Sequence, residues 1–192
     1  MAEKVYKVNE IFYSLQGEGR WTGTPMVFVR FSVCNLRCEF CDTDFASYES
    51  LTLDEILWSV RKEGGECRRI CLTGGEPSLQ VDDSLVKRFH SEGYLLHIET
   101  NGTRTLPAGI DWVTLSPKVW WNGGEAKVIL TRADEVKIVY TGQDLSGWEH
   151  FPAGEHFLQP CSGENTCEVV DYILAHPLWR LSLQTHKLLD IR

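Results

Sequence analysis

The sequence predicts an α/β protein: an open, partial barrel of about six parallel strands with reduced helices. Three observations lead there. Short apolar runs alternate with helical patterns in the first half of the chain, a βαβαβ order that calls for a parallel sheet with right-handed crossovers. The chain has 192 residues, short of the roughly 250 of a closed eight-stranded β/α barrel. The cysteine-, glycine- and proline-bearing segments each follow a strand-like run, which gathers them at the carboxyl ends of the strands, where such sheets bind ligands.

Residues 6–13 read as a strand or extended lead-in, ending in Ser14-Leu15-Gln16-Gly17-Glu18-Gly19. Glycines flanking a glutamate permit a tight turn, so this segment is either a plain hairpin or a polar loop presenting Gln16 and Glu18 to a ligand. Residues 26–33 form the first clear strand. Val27, Val29, Phe31 and Val33 share one face, while Phe28, Arg30 and Ser32 share the other with Cys34. An arginine inside a sheet needs an anion, either a glutamate of the chain or a substrate carboxylate held by the guanidinium fork. Thr52, Leu53, Asp54 and Glu55 make a capping-box pattern opening a helix to about residue 63, and Gly64-Gly65 ends it. A strand over 69–73 runs into Gly74-Gly75-Glu76-Pro77, a helix follows over 83–91, and a strand over 94–99 ends in Glu99-Thr100-Asn101-Gly102. Further strands are expected over 111–115, 135–140 and 155–158, a third helix over 164–176, and a last extended run over 179–184 before the tail. Trp120 and Trp121 read as packing or a lid. No linker divides the chain, so residues 1–192 are expected to be one domain.

A net charge of −8 argues against a nucleic-acid surface. The first residues lack the apolar core of a signal peptide, and no run of about 18 apolar residues offers a membrane span. Of seven cysteines only Cys34, Cys38 and Cys41 are grouped; Cys67, Cys71, Cys161 and Cys167 are scattered and read as buried or free thiols. A reducing, cytoplasmic compartment with one metal site fits this better than a disulfide scaffold.

The centre of the chain is Cys34-Asn35-Leu36-Arg37-Cys38-Glu39-Phe40-Cys41-Asp42-Thr43. Three thiolates at C-x3-C-x2-C spacing suit a 4Fe–4S cluster that normally takes four, leaving one iron open for a ligand. Open positions mark metal centres that do chemistry. The rival is a zinc knuckle, which would have to recruit a distant fourth ligand such as Cys167.

This spacing resembles the radical S-adenosylmethionine (SAM) enzymes. Taken with Ser14-Leu-Gln-Gly-Glu-Gly, Arg30, Cys41-Asp-Thr and the tail Gln184-Thr-His-Lys, the chain is similar throughout its length to the 7-carboxy-7-deazaguanine synthases. The resemblance implies a partial TIM-like barrel in which Cys34, Cys38 and Cys41 hold the cluster and Thr43 ligates Mg2+. It implies that Phe40, Asp42, Gly74, Gly75, Glu76, Glu99, Ser116, Pro117, Lys118 and Gln159 bind SAM. It further implies that Leu15, Gln16, Gly17, Arg30, Thr73 and the main chain of Arg192 contact the substrate. Each position has a plainer reading beside it. Gly74-Gly75 also suits a strand-to-helix turn, Glu99 a partner for Arg30 or Lys118, Thr43 a loop cap, and Lys118 a solvated cation; His186 stays undecided between structure and ligand.

The implied activity is that of a carbon–nitrogen lyase. 6-Carboxy-5,6,7,8-tetrahydropterin would undergo radical ring contraction with loss of ammonia to 7-carboxy-7-deazaguanine, on the way to queuosine and related deazapurines. The protein's part is to orient the reactants and exclude competing chemistry. A flavodoxin or ferredoxin as electron donor and a homodimer are implied too. Two alternatives stand: a small radical SAM activase acting on a partner protein, and a non-enzymatic zinc or iron–sulfur module.

Overall fold

The computed structural model describes residues 4–41, 47–120 and 126–192. Nine strands form one open sheet: β1 (Val5–Leu15), β2 (Pro25–Phe31), β3 (Glu49–Thr52), β4 (Arg69–Gly74), β5 (Leu95–Thr100), β6 (Trp112–Leu115), β7 (Ala133–Tyr140), β8 (Ala153–Pro160) and β9 (Arg180–Leu181). Their order is β3-β1-β2-β4-β5-β6-β7-β8-β9. From β2 to β9 every pairing is parallel, so the six expected core strands are present as β2 and β4 to β8.

An antiparallel edge is added to these parallel strands. β1 pairs antiparallel with both β2 and β3, and β3 was not expected at all, because its four residues Glu-Ser-Leu-Thr carry little strand pattern. The last run is also shorter than expected: β9 has two residues, and a helix, α4 (Thr185–Leu189), begins four residues later.

Three other helices flank the sheet: α1 (Leu53–Gly64), α2 (Asp83–Ser91) and α3 (Thr166–Ala175). α1 opens on the expected capping box: Thr52 Oγ1 accepts from the Glu55 amide at 3.3 Å, and Glu55 Oε2 accepts from the Thr52 amide at 2.7 Å. Such caps contribute about 1 kcal/mol. α3 starts at Thr166, later than expected, because Asn165 ties loops together instead. Its Oδ1 accepts from the Cys161 amide at 2.9 Å, and its Nδ2 donates to the Tyr140 carbonyl at 2.9 Å.

The alternation along β2 divides the molecule. Val27, Val29 and Phe31 pack with Ile56, Leu57 and Val60 of α1 and with Leu85 and Phe89 of α2. Phe28 faces the other way, with Phe12, Met26 and Cys71. A second core lies under α3, with Val136, Ile138, Leu158 and Val169. Each fully buried aliphatic stabilises the fold by about 1.5–3 kcal/mol, so the outer face of the sheet carries the stability. The inner face is thereby free to carry polar groups. No helix among the described residues is long and apolar enough to cross a membrane.

Candidate active site

A cavity of about 550 Å3 opens at the carboxyl ends of the parallel strands. Every site residue expected from the sequence lines it except Pro117, which is buried nearby, and Asp42 and Thr43, which lie outside the described residues. Trp121 also lies outside them, while Trp120 packs against Trp148 with ring centroids 5.9 Å apart.

The cysteine loop starts from a strained turn. β2 ends at Phe31, two residues before its expected end, and Val33 has φ +77°, a region that β-branched residues rarely enter. What holds it there is the chain after β4. The Gly75 amide donates to the Phe31 carbonyl at 2.8 Å and the Glu76 amide to the Val33 carbonyl at 2.9 Å. The approach is close enough that a Cβ on Gly74 would stand 2.2 Å from the Phe31 oxygen, and one on Gly75 2.2 Å from the Val33 oxygen. Gly74, at φ +115°, needs glycine on conformational grounds as well. The glycine pair therefore clamps the root of the cysteine loop. From the far side, Asn35 Nδ2 donates to Thr103 Oγ1 at 2.8 Å and Asn101 Nδ2 donates to Asn35 Oδ1 at 3.1 Å.

Cys34, Cys38 and Cys41 all line the cavity, and no disulfide forms among the seven cysteines. All three border one space, as a cubane that takes one thiolate per iron requires. Burial pushes the Cys34 and Cys38 thiols up, and the Lys118 ammonium opposes this at Cys38. Cys161, one of the scattered cysteines, proves to line the same cavity, while Cys71 is buried beneath it.

Glu76 is 1% exposed and accepts from Ser78 N at 3.0 Å, Thr100 Oγ1 at 2.6 Å and Asn101 N at 2.7 Å. Lys118 turns inward: its Nζ donates to the Ser116 carbonyl at 2.8 Å and to Ser116 Oγ at 2.6 Å, and burial pushes its pKa down. It stands 6.0 Å from the Phe40 ring centroid. Gln159, on β8, is buried and accepts from Ser182 Oγ at 2.9 Å.

Glu99 is engaged by neither Arg30 nor Lys118 in the hydrogen bonds of the cavity wall. It accepts from Gln16 Nε2 at 3.1 Å, Thr73 Oγ1 at 3.0 Å and Lys137 Nζ at 3.4 Å. Lys137 was not foreseen, although the alternation Glu135, Val136, Lys137, Ile138 signals a polar inner face on β7. Burial disfavours ionisation of both Lys137 and Glu18, yet their contact and their polar neighbours outweigh it. Lys137 ends well above the ordinary lysine range, and Glu18 below the ordinary carboxylate range. Behind them, burial pushes Glu135 up to about 7.

The first loop and the tail close the remaining side. The Thr185 amide donates to the Gly17 carbonyl at 2.9 Å and Gln184 Nε2 to Glu18 Oε1 at 2.9 Å. His186 packs so tightly on Gly17 that a Cβ there would lie 2.1 Å from Nδ1, which gives this histidine a structural contact on the cavity wall. Arg30 Nε donates to Glu10 Oε1 at 2.8 Å, and Arg192 Nη2 to Glu10 Oε2 at 2.5 Å. Ser14 Oγ donates to the main-chain oxygen of Arg192 at 2.5 Å. The pairing of the Arg192 side chain with Glu10 carries no sequence signal, since the two lie 182 positions apart in the chain.

Residues 28–121 match the model of the Radical SAM superfamily. Over 97% of its length the chain is 58% identical to the 7-carboxy-7-deazaguanine synthase of Bacteroides thetaiotaomicron, covering 98% of that protein. It is 42% identical to the protein of the same name from Bradyrhizobium diazoefficiens, covering 97% of this chain and 99% of the relative. The crystal structure of QueE from Escherichia coli superposes with a TM-score of 0.78 at 28% identity, over 93% of each chain.

Proposed function

Since this chain belongs to the 7-carboxy-7-deazaguanine synthase family of radical SAM proteins, we propose that it converts 6-carboxy-5,6,7,8-tetrahydropterin to 7-carboxy-7-deazaguanine with loss of ammonia. Membership in the radical SAM superfamily implies a 4Fe–4S cluster and SAM, which together supply a carbon radical by reductive cleavage of a carbon–sulfur bond. The observation that carries the proposal is the convergence of the cysteine loop, the Gly74-Gly75-Glu76 clamp, Arg30 and the tail on one cavity.

In this reading Cys34, Cys38 and Cys41 hold the cluster. Phe40, Asp42, Gly74, Gly75, Glu76, Glu99, Ser116, Pro117, Lys118 and Gln159 serve SAM. Glu76 retains acceptor capacity beyond its three donors, since a carboxylate offers about four lone-pair sites. Gln16 and Thr73, both hydrogen-bonded to Glu99, wall the pterin, and Leu15, Gly17 and Arg192 close it. Arg30, paired to Glu10 through Nε, also receives the substrate carboxylate. Thr43 ligates Mg2+, which keeps most of its waters and needs few protein ligands. Walls on several sides keep a reactive radical from solvent and hold its target near 3–3.5 Å, about the separation of a near-attack conformer. Residues 1–192 act as one domain, in the cytoplasm, as a homodimer reduced by a flavodoxin or ferredoxin.

The test is anaerobic incubation of the reconstituted protein with SAM, reductant, Mg2+ and the carboxylated tetrahydropterin. Formation of 7-carboxy-7-deazaguanine, dependent on SAM and reductant, is expected. SAM cleavage that leaves the pterin intact would overturn the substrate assignment.

A further inference from the structure

Glu10, Phe12 and Ser14 stand two residues apart on β1, so their side chains share one face of the strand. That face holds Arg192 at three points. Ser14 Oγ donates to its main-chain oxygen, the centroid of the Phe12 ring lies 5.1 Å from its guanidinium carbon, and Glu10 Oε2 accepts from its Nη2 at 2.5 Å. Arg30, opposite Glu10 on β2, uses two of the same side chains. Its Nε donates to Glu10 Oε1 at 2.8 Å, and its guanidinium carbon lies 5.8 Å from the Phe12 centroid. One carboxylate and one ring thus hold two guanidinium groups together, and all four side chains line the cavity. Glu92 and Glu155 each bridge two arginines as well, Arg61 with Arg88 and Arg20 with Arg180, but none of those side chains lines the cavity. Among the described residues only Nη2 of the Arg192 fork makes a hydrogen bond, although a guanidinium carries five N–H donors.

We infer that the Arg192 side chain is a specificity-determining residue which, beside Arg30, grips the carboxylate of the pterin. This role presupposes that the substrate is a carboxylated pterin. It belongs to the side chain, whereas the family resemblance implies contact through the main chain of Arg192 alone. A carboxylate offers about four lone-pair sites, enough to accept from both arginines at once. Glu10 sets the spacing of the two forks, because each of its oxygens holds one of them, and Phe12 backs both. A pterin without the carboxylate leaves these donors unanswered, and a site built around such donors rejects a ligand that lacks the acceptor. What Arg192 sets is therefore the preference for the carboxylated ring, and not the binding of SAM.

Arg192 is exposed, so its replacement leaves both hydrophobic cores untouched. The test measures anaerobic binding, without reductant, of 6-carboxy-5,6,7,8-tetrahydropterin and of 5,6,7,8-tetrahydropterin, which lacks the carboxylate. Reconstituted wild type, Arg192→Ala and Arg30→Ala are compared in the presence of SAM and Mg2+. Wild type is expected to prefer the carboxylated ligand. Arg192→Ala should bind that ligand about tenfold more weakly, the low end for a charge-assisted contact, and bind the uncarboxylated ring and SAM as wild type does. An unchanged ratio of the two pterin affinities in Arg192→Ala overturns the assignment. So does an equal loss for both pterins, which would make the side chain a prop for the tail. A fall in the ratio for Arg30→Ala with none for Arg192→Ala overturns the role of Arg192 and leaves the carboxylated-pterin reading standing. A wild type that binds both pterins equally sinks that reading itself.

Discussion

Lys137 Nζ is ion-paired to Glu18 and lies 3.4 Å from Glu99, so one ammonium on β7 joins the first loop to the end of β5. The lysine is 5% exposed, and its partners reach Gln184, Gln16 and Thr73 in turn. Removing it leaves two carboxylates facing each other in a desolvated wall. Lys137→Met is expected to destabilise the protein by about 3–5 kcal/mol, the cost of stripping one partner from a buried pair. Denaturant unfolding measures this; a loss below 1 kcal/mol would mean that the pair is solvated.

Two buried groups give opposite pH slopes. Burial pushes the Glu135 carboxyl up from its ordinary value of 4.5 to about 7. Between those values the folded state binds more proton than the unfolded one, so Glu135's contribution to stability falls as pH rises. Glu135→Gln should therefore gain stability relative to wild type from pH 5 to pH 8, by about 3 kcal/mol at the upper end. His97, depressed by burial to about 4, works the other way: its contribution is present above pH 6.5 and is lost as pH falls toward 4. Unfolding of wild type and Glu135→Gln across this range checks the sign, and a difference independent of pH would contradict it.

The glycine clamp predicts that a methyl group at Gly75 disturbs metal binding before it touches any ligand. A Cβ there meets the Val33 oxygen at 2.2 Å, backbone against backbone, with no flexible side chain to yield. Gly75→Ala should lower iron content after reconstitution and cost about 1–3 kcal/mol. Normal iron loading would show that the loop root tolerates displacement.

Cysteine replacements should divide by position. Cys38→Ala should abolish visible iron–sulfur absorbance and SAM cleavage, whereas Cys167→Ser, at an exposed site away from the cavity, should leave both intact. Retained SAM cleavage in Cys38→Ala would refute the cluster assignment.

Arg30 and Glu10 should act on the pterin and not on SAM. Arg30→Ala removes a charge-assisted contact worth about 1.5–3 kcal/mol, which corresponds to roughly 10- to 150-fold weaker pterin binding. SAM cleavage without the pterin should survive. Unchanged pterin affinity would refute the carboxylate contact assigned to this arginine.

Much of this was legible because it is local. The capping box at Thr52, the α2 boundaries and the face shared by Phe28 and Arg30 follow from short-range periodicity and backbone chemistry. Gly74 and Gly75 were readable as a tight passage, but what crowds them, the backbone of Phe31 and Val33, was not. β3 escaped notice because a short edge strand is defined by its partner β1 and hardly by its own residues.

Strand alternation and motif spacing depend on near neighbours along the chain, so the fold class, the three-thiol loop and the rim on which the marked segments meet can be read from residue order alone. Which charge answers which is settled in three dimensions: Lys137 holds Glu18 and Glu99, and Glu10 spans Arg30 and Arg192. Those pairings join residues far apart in sequence, and closing such loops is an outcome of packing the whole sheet, which no local pattern encodes.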